Sequence, residues 1–421
     1  MLALSFLSFS CTPPNSPPIE PPVVKLGVAV PLTGSLAARG PSRRKAAELA
    51  AEHLNQVGGV DSKQIKLFHV DSATSGPIAA QRVREMFDQN PDIQALIGPS
   101  GSQESRDVLT VMKEKQRPMI SPASTSALFS SIDDGGYFFR TVPSDAFQGQ
   151  ILAAKIREFG FKKVATLYVD NTYGQSLNDV LKADLNKHQI QVLAQIKYPE
   201  TVKTDYDAEI KQLLSQSVDA VCFIGYPGEA PGIFNAWLKS GLVPQLKWFF
   251  SDGLKAAEIV QGVNSPEKLD TSLGAIPASS SQMADAQFFQ EAYIQRYGDF
   301  PVSYAANTYD ALILSALALQ RTRFSQTKDL RQAIREVASP PGTQIRPGKD
   351  GLKQALLLLA KGEDIDYQGV SGDLNMDEVG DVRNDYEIWT LKNGFILRVE
   401  TFSIAGLDDK KAGPLSEPPK A

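Results

Sequence analysis

Ala95-Leu96-Ile97-Gly98-Pro99-Ser100-Gly101-Ser102 passes from a short apolar run straight into a loop of Gly, Pro and Ser. The same change recurs at Met119-Ile120, followed by Ser121-Pro122-Ala123-Ser124-Thr125-Ser126. Apolar runs that end in small polar residues before an amphipathic stretch mark an α/β sheet handing a strand to a helix. That edge is where open parallel sheets bind ligands. Both loops offer backbone N–H groups, hydroxyls and a helix N-terminus, which suit a small anionic or zwitterionic molecule. Taken singly, either is also an ordinary turn with capping residues.

The alternation continues outward in both directions. Strands are expected at 24–30, 65–70, 95–97 and 118–120, with helices at 41–56, 77–88 and 103–115. After 137–141 comes a break at Val142-Pro143-Ser144, and the rhythm starts again. Helices at 147–159, 173–186, 206–215 and 230–239 then alternate with strands at 164–169, 191–196, 220–224 and 247–250. Such a βαβα rhythm, met twice, predicts two Rossmann-like lobes, each a parallel sheet flanked by helices. After Asp270 helices dominate, at 284–297, 305–321, 330–337 and 351–361. Apolar runs at 386–391 and 395–399 close the ordered region, and the Pro-rich, charged tail 406–421 is expected to be disordered.

A chain of 421 residues is too long for one core, which agrees with two domains. The net charge is −5 and no basic tract covers a face, so nucleic acid is not an expected partner. The only cysteines are Cys11 and Cys222, too few for a disulfide framework. Cys222 lies in the apolar run Ala220–Ile224 and reads as a core thiol. Cys11 follows the apolar, Ser-rich stretch Leu2–Ser10 and precedes a Pro/Ser tether, Thr12–Pro22. That order is similar to the end of a bacterial lipoprotein signal, with the lipid on Cys11. The apolar stretch is too short to span a bilayer.

Cofactor and catalytic motifs are missing. There is no G-x-G-x-x-G, no G-x-x-x-x-G-K-[ST], and the histidines His53, His69 and His188 stand on separate elements. Gly98–Ser102 is a near miss to the G-x-S-x-G nucleophile elbow, with Ser102 replacing the second Gly and no His at a late strand end. Neither a cofactor nor a metal is expected. The second half adds three strand-end groups: Asp170–Gly174, Gly225–Glu229 and Ser251–Gly253. They bring Tyr173, Tyr226 and Asp252 to the ligand edge, two aromatic walls and an acid for an ammonium. Glu229 reads instead as the complement of a helix N-terminus. Arg39, Arg43, Arg44 and Lys45 crowd the start of the first helix, where cations oppose the macrodipole. Arg39 could meet a ligand carboxylate or amide, predicting a polar or anionic ligand side chain. These charges could equally be solvated or face a membrane partner.

Lys25–Gly34, Asn55–Gly59, Asp71-Ser72, Ile97–Pro99, Phe139–Thr141 with Ser144-Asp145, Asp170–Gly174 and Asp366–Gly372 fall in order along the chain. From about Val23 to about Glu400 the chain resembles the type I periplasmic binding proteins, in the branch that binds branched-chain amino acids for ABC importers. The resemblance implies two Rossmann-like lobes joined by three crossings and closing on an amino acid. It implies that Ser102 and the Thr125 N–H hold the α-carboxylate. It implies that the Ala123 carbonyl, the Thr125 hydroxyl and Asp252 hold the ammonium, while Tyr173 and Tyr226 come across the cleft. Leucine-type members tend to carry Glu at the position of Asp252, and an aromatic residue often stands at that of Arg39.

The expected organisation is a signal remnant and tether at 1–22, lobe 1 at 23–143 and 273–378, lobe 2 at 144–272 and 379–405, and the tail. The expected role is a lipid-anchored, extracytoplasmic substrate-binding protein that delivers an amino acid to an ABC permease in the membrane, not an enzyme. Two other readings share the sequence: a ligand-sensing regulator of the same fold that binds an amide or urea, and an amidohydrolase.

Overall fold

The computed structural model describes residues 22–201, 203–241, 246–279, 283–405 and 407. Cys11, the tether before Pro22 and all of the expected tail except Leu407 lie outside the described residues. β1 (Val23–Val30), β2 (Gln64–Asp71), β3 (Leu96–Ile97), β4 (Met119–Ser121) and β5 (Phe138–Arg140) form an all-parallel sheet in the order β2-β1-β3-β4-β5. β1 reads Val-Val-Lys-Leu-Gly-Val-Ala-Val and is buried almost throughout. Continuous burial is what helices on both faces of a parallel sheet impose.

β6 (Lys163–Val169), β7 (Gln191–Tyr198), β8 (Ala220–Ile224), β9 (Lys247–Phe250) and β10 (Leu273–Pro277) repeat that order as β7-β6-β8-β9-β10. β11 (Thr343–Ile345) and β12 (Ile365–Tyr367) make a separate parallel pair. β13 (Tyr386–Lys392) adds antiparallel to β10, and β14 (Phe395–Phe402) to β13, giving a seven-stranded second sheet. Each sheet therefore has a switch point, between β1 and β3 and between β6 and β8. Loops from the two sides diverge there and leave a crevice.

Each sheet has its own core. Trp237, Trp248, Phe223 and Phe234 pack edge to face in the second. Cys222 is buried there, and burial pushes its thiol far up, as expected for a core cysteine. In the first lobe the helix Ala305–Phe324 is buried from Asn307 to Gln320 and supports helix Gly40–Gln56. Its all-round apolar sequence suits a central helix rather than a surface one.

Two expected boundaries move. The second-sheet strand β10 spans 273–277, so the boundary at 273 was placed before a strand that belongs to lobe 2. Its short Leu-Gly-Ala-Ile-Pro run carries too little pattern to show as a strand in isolation. The boundary at 379 also shifts: the Gly380 carbonyl still accepts the Arg140 N–H at 3.1 Å. Asn384 Oδ1 accepts the Asp373 N–H, whereas the Asp385 carbonyl accepts the Ala278 N–H beside β10. The chain thus recrosses between Asn384 and Asp385.

Candidate functional site

The C-terminal ends of six parallel strands face one another across the crevice. From the first sheet, the loop after β1 brings Leu36 and Arg39, that after β3 brings Ser100–Ser102, and that after β4 brings Ala123 and Thr125. From the second, β6 delivers Tyr173, β8 delivers Tyr226, and β9 delivers Asp252 and Gly253. All seven expected ligand-site residues (Arg39, Ser102, Ala123, Thr125, Tyr173, Tyr226 and Asp252) line one cavity. Its remaining volume is about 30 Å³. That is room for a water molecule or two and for no amino acid, so a ligand enters only when the lobes part.

Local chemistry fixes the two first-lobe loops. Gly98 has φ +99°, and a Cβ there would lie 2.1 Å from the Ala29 carbonyl oxygen. Only glycine permits the turn so close to β1. Glu104, three residues into the next helix, accepts the Gly101 N–H on Oε2 at 2.7 Å. Burial pushes the carboxyl up to about 7. The Ser102 hydroxyl accepts the Ser126 N–H at 3.3 Å, which links the two loops and leaves its proton free to donate. The Thr125 N–H and the Ala123 carbonyl make no hydrogen bond among the described residues.

Asp252 is almost fully buried and accepts from two phenols, Tyr173 at 2.6 Å on Oδ1 and Tyr304 on Oδ2. Burial, and then the Asp252 charge, push both phenols well above their ordinary range, so they stay protonated donors. Tyr173 stacks on Tyr226 at 5.6 Å between ring centres. A carboxylate accepts about four hydrogen bonds, so Asp252 retains room for a cation. Asp145 opens the helix Asp145–Glu158 and is fully buried, its backbone N–H donating to the Thr125 carbonyl at 2.7 Å. Burial and the neighbouring Asp252 charge raise it well above the usual carboxylate range.

The four cations near Pro41 divide into two pairs. Arg44 bonds Glu48 and Lys45 bonds Asp299, both at the surface. Arg39 and Arg43, four residues apart and on one face of the helix start, turn into the cavity. Arg39 Nη2 donates to the Gly253 carbonyl at 2.7 Å and so bridges the lobes. Further bridges run from Thr172 to Gln103 at 2.6 Å and from Ser176 to the Ala127 N–H at 3.0 Å.

Sequence reading gave no role to Tyr304 or Glu104, named Arg140 and Asp145 only within stretches that carry the resemblance, and treated Arg43 only as one of a charge cluster. Tyr304 has φ +68°, a conformation unusual for a tyrosine, and no motif signals it. The i, i+4 spacing of Arg39 and Arg43 was the available signal. Glu229 stands at the N-cap of helix Ala230–Lys239, as expected, but it is fully buried outside the cavity, and burial pushes its carboxyl up to about 8.

The family model for the receptor family ligand binding region matches residues 42–394. The chain belongs to that family. It adopts the type I periplasmic-binding-protein fold. A leucine-binding protein, LivK, from Thermotoga maritima superposes with a TM-score of 0.76 at 22% identity, covering 91% of this chain and all of that one. A branched-chain amino acid transporter substrate-binding protein, LivJ, from Streptococcus pneumoniae, solved with isoleucine, gives 0.72 at 22% identity over 90% of this chain and 99% of that one. Among curated family relatives, the chemotactic signal transduction system substrate-binding protein BasB of Halobacterium salinarum is 25% identical over 362 residues, 84% of this chain and 83% of that protein. An amino acid binding protein of Pseudomonas aeruginosa is 27% identical over 293 residues, 69% of this chain and 76% of that protein. Family members are binding proteins and receptors.

Proposed function

We propose that this chain captures an amino acid outside the cytoplasm by closing its two lobes on it, as the substrate-binding component of an ABC importer, anchored through lipid on Cys11. One observation carries the reading: a single inter-lobe cavity joins unpartnered first-lobe donors, the Thr125 N–H and the Ser102 hydroxyl, to the second-lobe Asp252 carboxylate. Donors on one lobe and an acid on the other suit the two ends of a zwitterion. The Thr125 N–H and Ser102 hydroxyl receive the α-carboxylate, and Asp252 with the Ala123 carbonyl receives the ammonium.

Each lobe alone offers half of the contacts, so ligand favours the closed form over the open one. Arg39, Thr172 and Ser176 add inter-lobe bonds that the permease-facing closed form would present intact. The site supports binding rather than turnover. No histidine lines the cavity, and His53 is engaged with the Tyr309 hydroxyl at 2.9 Å in the lobe 1 core. Relatives named as an amino acid binding protein and as a leucine-, isoleucine-, valine-, threonine- and alanine-binding protein favour the same ligand class. The BasB name favours a second output for the captured ligand, presentation to a signalling partner instead of a permease.

A thermal-shift screen against the common amino acids, short amides and urea tests the reading. An amino acid at a hundredfold excess over its dissociation constant should stabilise the chain by about 2.7 kcal/mol. Stabilisation by amides or urea alone overturns it. Mass spectrometry of membrane-extracted protein should find diacylglyceryl on Cys11.

A further inference from the structure

Arg39 and Arg43 are 5% and 2% exposed, yet neither guanidinium forms an ion pair among the described residues. Arg39 spends one N–H on the Gly253 carbonyl. Among the described residues Arg43 makes a single long bond, Nη2 to the Ser303 carbonyl at 3.4 Å, and its Nε and Nη1 have no partner. Its guanidinium lies 5.5 Å from the centre of the Tyr304 ring, and Tyr304 in turn donates to Asp252. Tyr304 therefore stands between Arg43 and the acid, which prevents the two charges from neutralising each other directly.

Two like charges buried side by side without an anion is a costly arrangement. Burial, and after it the charge of Arg39, lower Arg43 to about 9, so it is still a cation at neutral pH. Glu104 is close enough to favour that charge but makes no bond to it, and it turns one oxygen to Gly101. Surface pairing accounts for Arg44 and Lys45 but leaves Arg39 and Arg43 unexplained. Both line the cavity, Arg43 over the Tyr304 ring and Arg39 against the Gly253 carbonyl. A planar, five-donor group with unpartnered N–H groups, on a residue that lines the cavity, fits a carboxylate by a paired hydrogen bond once the lobes part.

We propose that the preferred ligand is an acidic amino acid, whose side-chain carboxylate is received by Arg43 with Arg39 beside it. This inference rests on the amino-acid reading above, because it takes the α-carboxylate and ammonium to occupy the first-lobe loops and Asp252. Arg43 is then the residue that decides specificity. It converts a site built for a zwitterion into one for a ligand with a second negative charge.

Isothermal titration of the purified chain with L-glutamate, L-aspartate, L-glutamine and L-leucine, on wild type, Arg43→Gln and Arg43→Lys, tests this. In the wild type, glutamate or aspartate should bind about tenfold or more tighter than glutamine. Arg43→Gln should collapse that ratio towards one, and Arg43→Lys should restore part of it, since the charge returns without the fork. Circular dichroism melting shows whether each variant folds, and the Lys variant keeps the test open if the Gln variant does not. Tighter wild-type binding of leucine or glutamine overturns the inference while leaving the amino-acid reading standing. So does a uniform loss for all four ligands in folded Arg43→Gln, which would place the α-carboxylate on this arginine. Binding of none of the four, with none of the other amino acids shifting the melt, removes the amino-acid reading itself.

Discussion

Arg140 grips Asp381 by two parallel hydrogen bonds, Nε to Oδ1 at 2.6 Å and Nη2 to Oδ2 at 2.7 Å. The same guanidinium donates through Nη1 to the Ser124 carbonyl at 3.1 Å and the Ser126 carbonyl at 2.9 Å. One fully buried cation thus ties the last crossing of the chain to the underside of the loop that presents Thr125. The loop owes its shape to this anchor as much as to its own turn residues.

Removing one partner should therefore loosen both the fold and the site. Asp381→Asn leaves a buried guanidinium without its anion, which typically costs about 3–5 kcal/mol. Urea unfolding should show this loss, and ligand affinity of the folded fraction should fall because the Thr125 N–H is no longer fixed. Unchanged stability would show that the loop stands without the pair.

Asp252 carries the clearest ligand prediction. Asp252→Ala would leave a ligand ammonium desolvated and unpaired, a loss of about 2–5 kcal/mol in binding. It would also strand the hydroxyls of Tyr173 and Tyr304, so melting must be measured beside titration. Unchanged amino-acid affinity in a folded variant would remove Asp252 from the ammonium's partners.

The strand-to-helix rhythm was legible because parallel strands buried on both faces read as apolar runs, unbroken in β8 and interrupted only by Lys25 in β1. The site residues on strand ends were legible for the same reason: the switch point of each sheet fixes where the loops must meet. β10 was not, since five residues containing Gly and Pro resemble a loop until their partners are known. Tyr304 and Asp145 were not either. Their roles depend on the lobes facing each other, and no local pattern encodes which residues meet across a cleft. The division of the Pro41 cations into a surface pair and a buried pair needed the path of the helix, though the spacing of Arg39 and Arg43 already placed them on one face.

Glu104 predicts a pH dependence. Its carboxyl is raised by burial from 4.5 to about 7. Between those values the folded chain holds a proton that the unfolded chain releases, so stability falls as pH rises, and the loss is complete above about 7. The contribution reaches about 3 kcal/mol at most. Glu229, raised to about 8, acts in the same direction, so the comparison must isolate one residue. Glu104→Gln should gain stability relative to wild type between pH 5 and pH 8 in denaturant titrations. A constant difference across that range would mean that Glu104 does not change protonation on unfolding.

Gly253 offers a test of closure that removes no charged side chain. It lies in the single 3-10 turn Asp252–Leu254, outside the left-handed region, so conformational strain is not at issue. A Cβ there would lie 2.3 Å from the Gly225 carbonyl oxygen and 3.1 Å from the Tyr173 hydroxyl. The first of these is backbone and cannot swing aside. Gly253→Ala must therefore push the loop after β9 away from the loop after β8. That shift moves Asp252 off Tyr173 and the Gly253 carbonyl off Arg39, two contacts the closed form uses. Overpacking of this kind costs about 1–3 kcal/mol. That cost falls on the second lobe in either form; the closed form additionally loses the Arg39 bond to the displaced Gly253 carbonyl. Titration should show weaker binding, and small-angle scattering with saturating ligand should show a larger radius of gyration than wild type. Wild-type affinity and compaction in Gly253→Ala would mean that the two loops have slack which the close approach of Gly253 to Gly225 denies.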